Sequence, residues 1–122
     1  MTPRLASRVA AILGFLAVAL GAFGAHALKD RLAQLGTTHS WETAALYHLL
    51  HAVAMLTLAA WTPFRKGPFL SFLIGVLLFS GSLYALALTG AKALGMITPF
   101  GGAAFLAGWG CLAFGRRQRD PD

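Results

Sequence analysis

His48 and His51 stand three residues apart inside an uncharged apolar stretch, so a helix there carries both imidazoles on one face. Ionisable groups at such depth are costly in hydrocarbon and are functional candidates by default. Other side chains able to donate, accept or ligate are His26, Tyr47, Ser80, Ser82, Tyr84 and Thr98. Imidazoles in such company relay protons, ligate a metal with His26 as a further nitrogen, or bind haem iron. Left neutral, they tie helices together through hydrogen bonds.

The residue types weigh against most of this chemistry. No Asp or Glu lies inside the apolar stretches and no Cys lies near the histidines, so a metal site has at most three imidazoles. His48 and His51 on one helix cannot ligate opposite faces of one porphyrin, which forces His26 into the role. Gly81-Ser82 is suited to helix packing, and no base is dictated by spacing for a serine nucleophile. The carboxylate that couples most proton-driven export is missing from every stretch, so histidine would have to replace it in a transporter. The expectation is a non-enzymatic chain with no catalytic residue, no metal and no cofactor, whose histidines are neutral and hydrogen-bonded.

The elements that position these groups are four apolar stretches free of Asp, Glu, Lys and Arg, at 9–28, 43–62, 69–89 and 98–115. At about 1.5 Å of rise per residue, each is long enough to cross a hydrocarbon core about 30 Å thick. With 57% hydrophobic and 11% charged residues and a mean hydropathy of +0.68, the chain lacks the polar surface of a soluble domain. Its net charge of +6 is not a nucleic-acid signature, because the basic residues flank the apolar stretches instead of forming a stripe. Arg4, Arg8, Arg65, Lys66, Arg116, Arg117 and Arg119 fall on one side of a four-span topology, and Lys29, Arg31 and Lys92 on the other. That bias predicts both termini in the cytoplasm.

Depth then sorts the polar residues. His48 and His51 lie about 9 and 13 Å below Glu42 at helical rise. Ser80, Ser82 and Tyr84 fall in the outer half of the third span, His26 ends the first, and Thr98 starts the fourth. Mainly Thr57, Ser71 and Cys111 lie deeper. This predicts an outer-facing polar pocket or network among the helices.

Local signals add detail. Leu28, Leu32 and Leu35 before Gly36 predict a short helix on the outer surface after the first span. Thr37, Thr38 and Ser40 are candidate N-caps of the second span, with Glu42 in its first turn, and Thr98-Pro99 reads as N-cap and first residue of the fourth. Trp41 and Trp61 read as interfacial anchors, whereas Trp109 falls at mid-membrane. The single Cys111 cannot form an intramolecular disulfide and is expected to be a reduced, packed thiol. Ala25-His26-Ala27 matches a signal-peptidase site, but the apolar run before it is long and carries small residues at Ala17, Gly21 and Ala25, so the first span is expected to be retained. Small residues also recur at Gly81, Ala85 and Thr89, and at Ala103, Ala107, Cys111 and Gly115. Such stripes allow close helix packing within the chain or against a partner.

The segments Gly21–Lys29, Trp41-Glu42-Thr43-Ala44, Tyr47-His48 with His51, Leu78–Tyr84, Leu88–Gly90 and Ile97–Gly102 together resemble the YgdD/YwdK-type bacterial inner-membrane proteins, a domain-of-unknown-function family. The resemblance spans residues 14 to 110 and leaves the charged tail after Gly115 outside it. It implies a four-helix inner-membrane protein with the first span retained, and it brings no reaction, substrate or cofactor. The polar positions it implies are His26, Lys29, Tyr47, His48, His51, Ser80, Ser82, Tyr84 and Thr98.

The combined expectation is an all-α, four-transmembrane-helix bundle with a short interfacial helix, one membrane domain over residues 1–122, in the bacterial cytoplasmic membrane. Its expected role is structural or accessory, with the lipid bilayer and a second copy or larger membrane complex as partners. Two alternatives are a small homodimeric transporter or channel using the histidine cluster, and a haem- or metal-binding membrane protein.

Overall fold

The computed structural model describes residues 1–115; Arg116, Arg117 and Arg119, counted above as topology signals, lie outside the described residues. Helix α1 spans Pro3–Ala25, the short α2 Lys29–Leu35, and α3 Thr38–Ala60. Helix α4 runs from Lys66 to Thr89, with one π-helical turn at Val76–Ser80. A 3₁₀ turn at Lys92–Met96 leads into α5, Thr98–Phe114. Four segments are long and apolar enough to cross a membrane: α1, α3, α4 and the continuous stretch Lys92–Phe114.

Several boundaries moved for identifiable reasons. Helix α1 begins well before Val9, because Thr2 accepts from the Leu5 N–H at 3.1 Å and Pro3 opens the helix. Helix α3 begins at Thr38, which leaves Glu42 beyond its first turn. Thr37 occupies the N-cap position, but its hydroxyl donates to the Ala87 carbonyl of α4 at 2.7 Å instead of capping. Helix α5 likewise starts one residue earlier than expected, after Ile97, and Thr98 is drawn into another contact. The short helix after the first span is present, closed by Gly36 at φ 68 with the Thr37 N–H bonded to the Leu32 carbonyl.

The helices form a row more than a closed square. Helix α1 packs along α3, α3 against α4, and α4 against α5. Ala6, Ala10, Met55, Leu58, Phe69, Phe72, Val76 and Phe105 share one buried cluster toward the end where α4 begins. Leu32, Trp41 and Ala87 form a second at the opposite end. The flanking helices α1 and α5 leave large apolar side chains exposed, including Phe15, Val18, Phe100 and Leu106. In water that surface would be a liability; against lipid it is the ordinary solvent-facing side.

Glycines set the closest approaches. A Cβ on Gly101 of α5 would fall on the Phe79 backbone within the π turn of α4, so the two helices touch nearly backbone to backbone there. Gly24 of α1 is where the Trp41 indole lies. Trp41 is therefore buried between α1, α3 and α4, not anchored at the headgroups: its N–H donates to the Leu20 carbonyl at 2.9 Å and its ring meets Tyr84 edge-on. The small-residue stripe at Ala103, Ala107 and Cys111 faces outward, and the thiol of Cys111 is exposed instead of packed.

Candidate functional site

The π turn of α4 governs which way its polar residues point, since one wide turn offsets the helical faces before and after it. Ser80, fully buried at its end, donates to the Ala44 carbonyl of α3 at 2.8 Å. Ser82, two residues on, faces α5. Its hydroxyl donates to the Phe79 carbonyl at 3.0 Å, which uses its only hydrogen. The 2.6 Å contact with Thr98 therefore has Thr98 donating to Ser82 Oγ. Tyr84 turns back toward α3 and meets His48 Nδ1 at 3.0 Å.

His51 is tied on both sides. Its Nδ1 lies 2.8 Å from the Tyr47 carbonyl, which only accepts, so Nδ1 carries the proton. The Trp109 indole donates to Nε2 at 3.0 Å, so Nε2 presents its lone pair. These two partners fix a neutral Nδ1–H tautomer. Phe105 stacks on the ring at 3.7 Å between centroids and Phe72 meets it edge-on. Tyr47, half exposed, packs on Phe79 and Phe105 through its ring.

His48 differs. It is as buried as His51, with 4% against 5% of its surface exposed, but only Nδ1 has a hydrogen bond. Its Nε2 is buried without a partner. The backbone at Leu13 is the polar neighbour that α1 offers the ring, and it does not complete a hydrogen bond on Nε2.

The polar residues expected to share one outer pocket are thus divided among separate helix-to-helix bonds. Tyr84 and His48 link α4 to α3, Ser80 links the same pair, Ser82 and Thr98 link α4 to α5, and His51 links α3 to α5 through Trp109. His26 stands apart, exposed at the C-cap of α1. Among the described residues no three His, Cys, Asp or Glu side chains converge in a geometry able to hold a metal ion. A shallow groove of about 450 Å³ does touch Tyr47, His51 and Trp109, walled by Phe79, Phe105 and Leu106, and it is almost wholly apolar.

Sequence reasoning overlooked three contributors. Trp109 fits no interfacial role because it is a hydrogen-bond donor to His51, and its mid-membrane depth beside that histidine was the available signal. Arg31 of α2 closes the C-terminus of α4 by donating twice to the Leu88 carbonyl, at 2.8 and 3.2 Å. Arg65 does the same for α5, donating to the Cys111 carbonyl at 3.1 Å. Cations at helix C-termini complement both the free carbonyls and the dipole, so these two arginines serve the fold as well as topology.

Comparison with known proteins adds a lineage. A family described as "Protein of unknown function (DUF423)" matches residues 20–102. A UPF0382 membrane protein of Haemophilus influenzae is 45% identical over 111 residues, covering 86% of this chain and 87% of the relative. The UPF0382 inner membrane protein YgdD of Escherichia coli is 41% identical over 123 residues, covering 94% and 91%. YwdK of Bacillus subtilis, also a UPF0382 membrane protein, is 40% identical over 114 residues, covering 81% and 85%. No solved structure matches.

Proposed function

The chain belongs to the DUF423 family of membrane proteins, and from that premise we propose that it is a non-enzymatic structural or accessory component of the bacterial cytoplasmic membrane. The observation that carries this reading is the commitment of its intramembrane polar groups to neighbouring helices. Among the described residues, Ser80, Ser82, Thr98 and both nitrogens of His51 are engaged within the chain, so none of these groups is free to serve as an activated nucleophile or base. The wide apolar faces of α1 and α5 are then the surfaces through which it meets lipid, a second copy or a larger complex. Both termini lie in the cytoplasm in this reading, which rests on the sequence bias of Arg4, Arg8, Arg65, Lys66, Arg116, Arg117 and Arg119 against Lys29, Arg31 and Lys92.

Mass measurement of the intact particle in mild detergent tests the accessory role. A homo-oligomer or a stoichiometric co-purifying chain is the expected result; a bare monomer at working concentration would count heavily against it. The competing reading, a small transporter using His26, His48 and His51, is weakened by the isolation of His26 and the closed bonding of His51. It now rests on His48 alone, and solute flux in proteoliposomes that His48→Ala abolishes would restore it.

A further inference from the structure

The α3–α5 seam opens again at the end of the molecule where α4 begins. A groove of about 380 Å³ lies there, walled by Ala54, Leu58, Trp109 and Leu112, with Trp61 and Arg65 at its end. Its one wall hydroxyl, on Thr57, already donates to the Val53 carbonyl at 2.9 Å, so the groove offers a hydrocarbon chain no unmet donor. A groove this deep in a bilayer is filled by something apolar. An acyl chain is narrow enough to lie along this apolar groove, and the charge at its mouth decides the occupant.

Charge at the mouth selects the headgroup. Arg65 is half-buried at the groove's end and spends one Nη2 hydrogen on the Cys111 carbonyl, out of the five N–H donors that a guanidinium carries. Gly115 leaves room for this approach, since a Cβ there would stand 2.5 Å from Arg65 Nη2. Lys66 follows, exposed, and Arg4 and Arg8 are exposed at the same end of the row. Basic residues between membrane helices at this level attract anionic phospholipid. We propose that this groove is a binding site for an anionic phospholipid, with one acyl chain along Ala54, Leu58 and Leu112 and the phosphate on Arg65 and Lys66. The inference is independent of the accessory role, because a transporter with the same groove would hold the same lipid.

The test is native mass spectrometry of the detergent-purified protein given equal amounts of phosphatidylglycerol and phosphatidylcholine with matched chains. The wild-type chain is expected to retain one phosphatidylglycerol in preference. Lys66→Gln, which leaves the Arg65–Cys111 bond alone, is expected to cut that preference about fivefold. Ala54→Phe, which fills the groove without changing charge, is expected to lower retention of both lipids, and unchanged melting of each lipid-free variant confirms its fold. Equal retention of the two lipids by the wild type, an unaffected Lys66→Gln, or phosphatidylglycerol retained fully by Ala54→Phe would each overturn the proposal. So would displacement by water-soluble glycerol phosphate, which has the anion without the chain, or by dimerisation that expels the lipid.

Discussion

Two histidines one turn apart on α3 have opposite bonding. His51 is closed: carbonyl on one nitrogen, indole on the other, aromatic rings on its faces. His48 is half open, with Tyr84 on Nδ1 and nothing on a buried Nε2. Depth, residue type and burial are nearly the same, so none of these distinguishes a structural histidine from a reactive one. What separates them is the neighbouring helix. Helix α5 brings Trp109 to His51, whereas the polar neighbour that α1 brings to His48 is the Leu13 backbone, which does not complete a hydrogen bond on Nε2. In hydrocarbon there is no water to make up a missing partner, so such a difference is felt in full.

The largest break in this comparison comes from truncating the closed histidine. His51→Ala removes two hydrogen bonds and the stack on Phe105, and leaves a void beside Phe72; a loss of about 3 kcal/mol is expected from cavity formation and the lost bonds. His48→Ala also leaves a void, but it discards an unpaired nitrogen and is expected to cost about 2 kcal/mol. Unfolding titrations in bilayer-like micelles rank the two, and an equal or reversed order would show that Nε2 of His48 has a partner after all.

A smaller effect isolates the indole bond. Trp109→Phe keeps an aromatic ring near His51 but withdraws the donor from Nε2, making His51 resemble His48. Hydrogen bonds between membrane helices average about 0.6 kcal/mol, with about 1.7 at the top of the range. A loss of about 1 kcal/mol is expected, and ¹⁵N spectra of labelled histidine check the cause: wild type and variant should both show His51 as the Nδ1–H tautomer that the Tyr47 carbonyl holds, with the Nε2 resonance moved downfield in the variant, toward that of a nitrogen without a donor. A wild-type Nε2–H signal for His51 would contradict the bonding described here.

The row of spans was legible because charge exclusion over some twenty residues is a coarse signal that no tertiary detail reverses. The α2 helix was legible from three leucines and a glycine for the same reason. Trp41 and Cys111 were not, because facing depends on how a helix is rotated, and small-residue stripes suggest several rotations. The stripe through Ala103, Ala107 and Cys111 lost to Gly101 and Gly108, which meet Phe79 and Phe72 of α4. The π turn was also invisible, since nothing in Val76–Ser80 breaks an α-helical pattern, yet it decides that Ser80 serves α3 and Ser82 serves α5. Depth found the polar residues; it had no means of pairing them.

The smallest expected effect is the most diagnostic. Converting His48 alone to Phe removes the unpaired Nε2 but strips Tyr84 of its partner, and Tyr84→Phe alone strips His48 of its remaining bond. Changing both removes the bond and both unmet groups while keeping two rings of similar shape in contact, edge to face as they now stand at 5.9 Å. Replacing both partners of a buried hydrogen bond by apolar shapes is nearly neutral or stabilising, whereas each single change leaves a desolvated polar group behind. The double variant is therefore expected within about 0.5 kcal/mol of wild type and above either single variant. The matching pair at the closed site, His51→Phe with Trp109→Phe, is expected to fall lower, because His51 has a second bond, to Tyr47, that the swap also removes. If the His48 pair proves as costly as the His51 pair, Nε2 is making an interaction that stabilises the fold, and the half-open site becomes the place to look for a bound water, proton or solute.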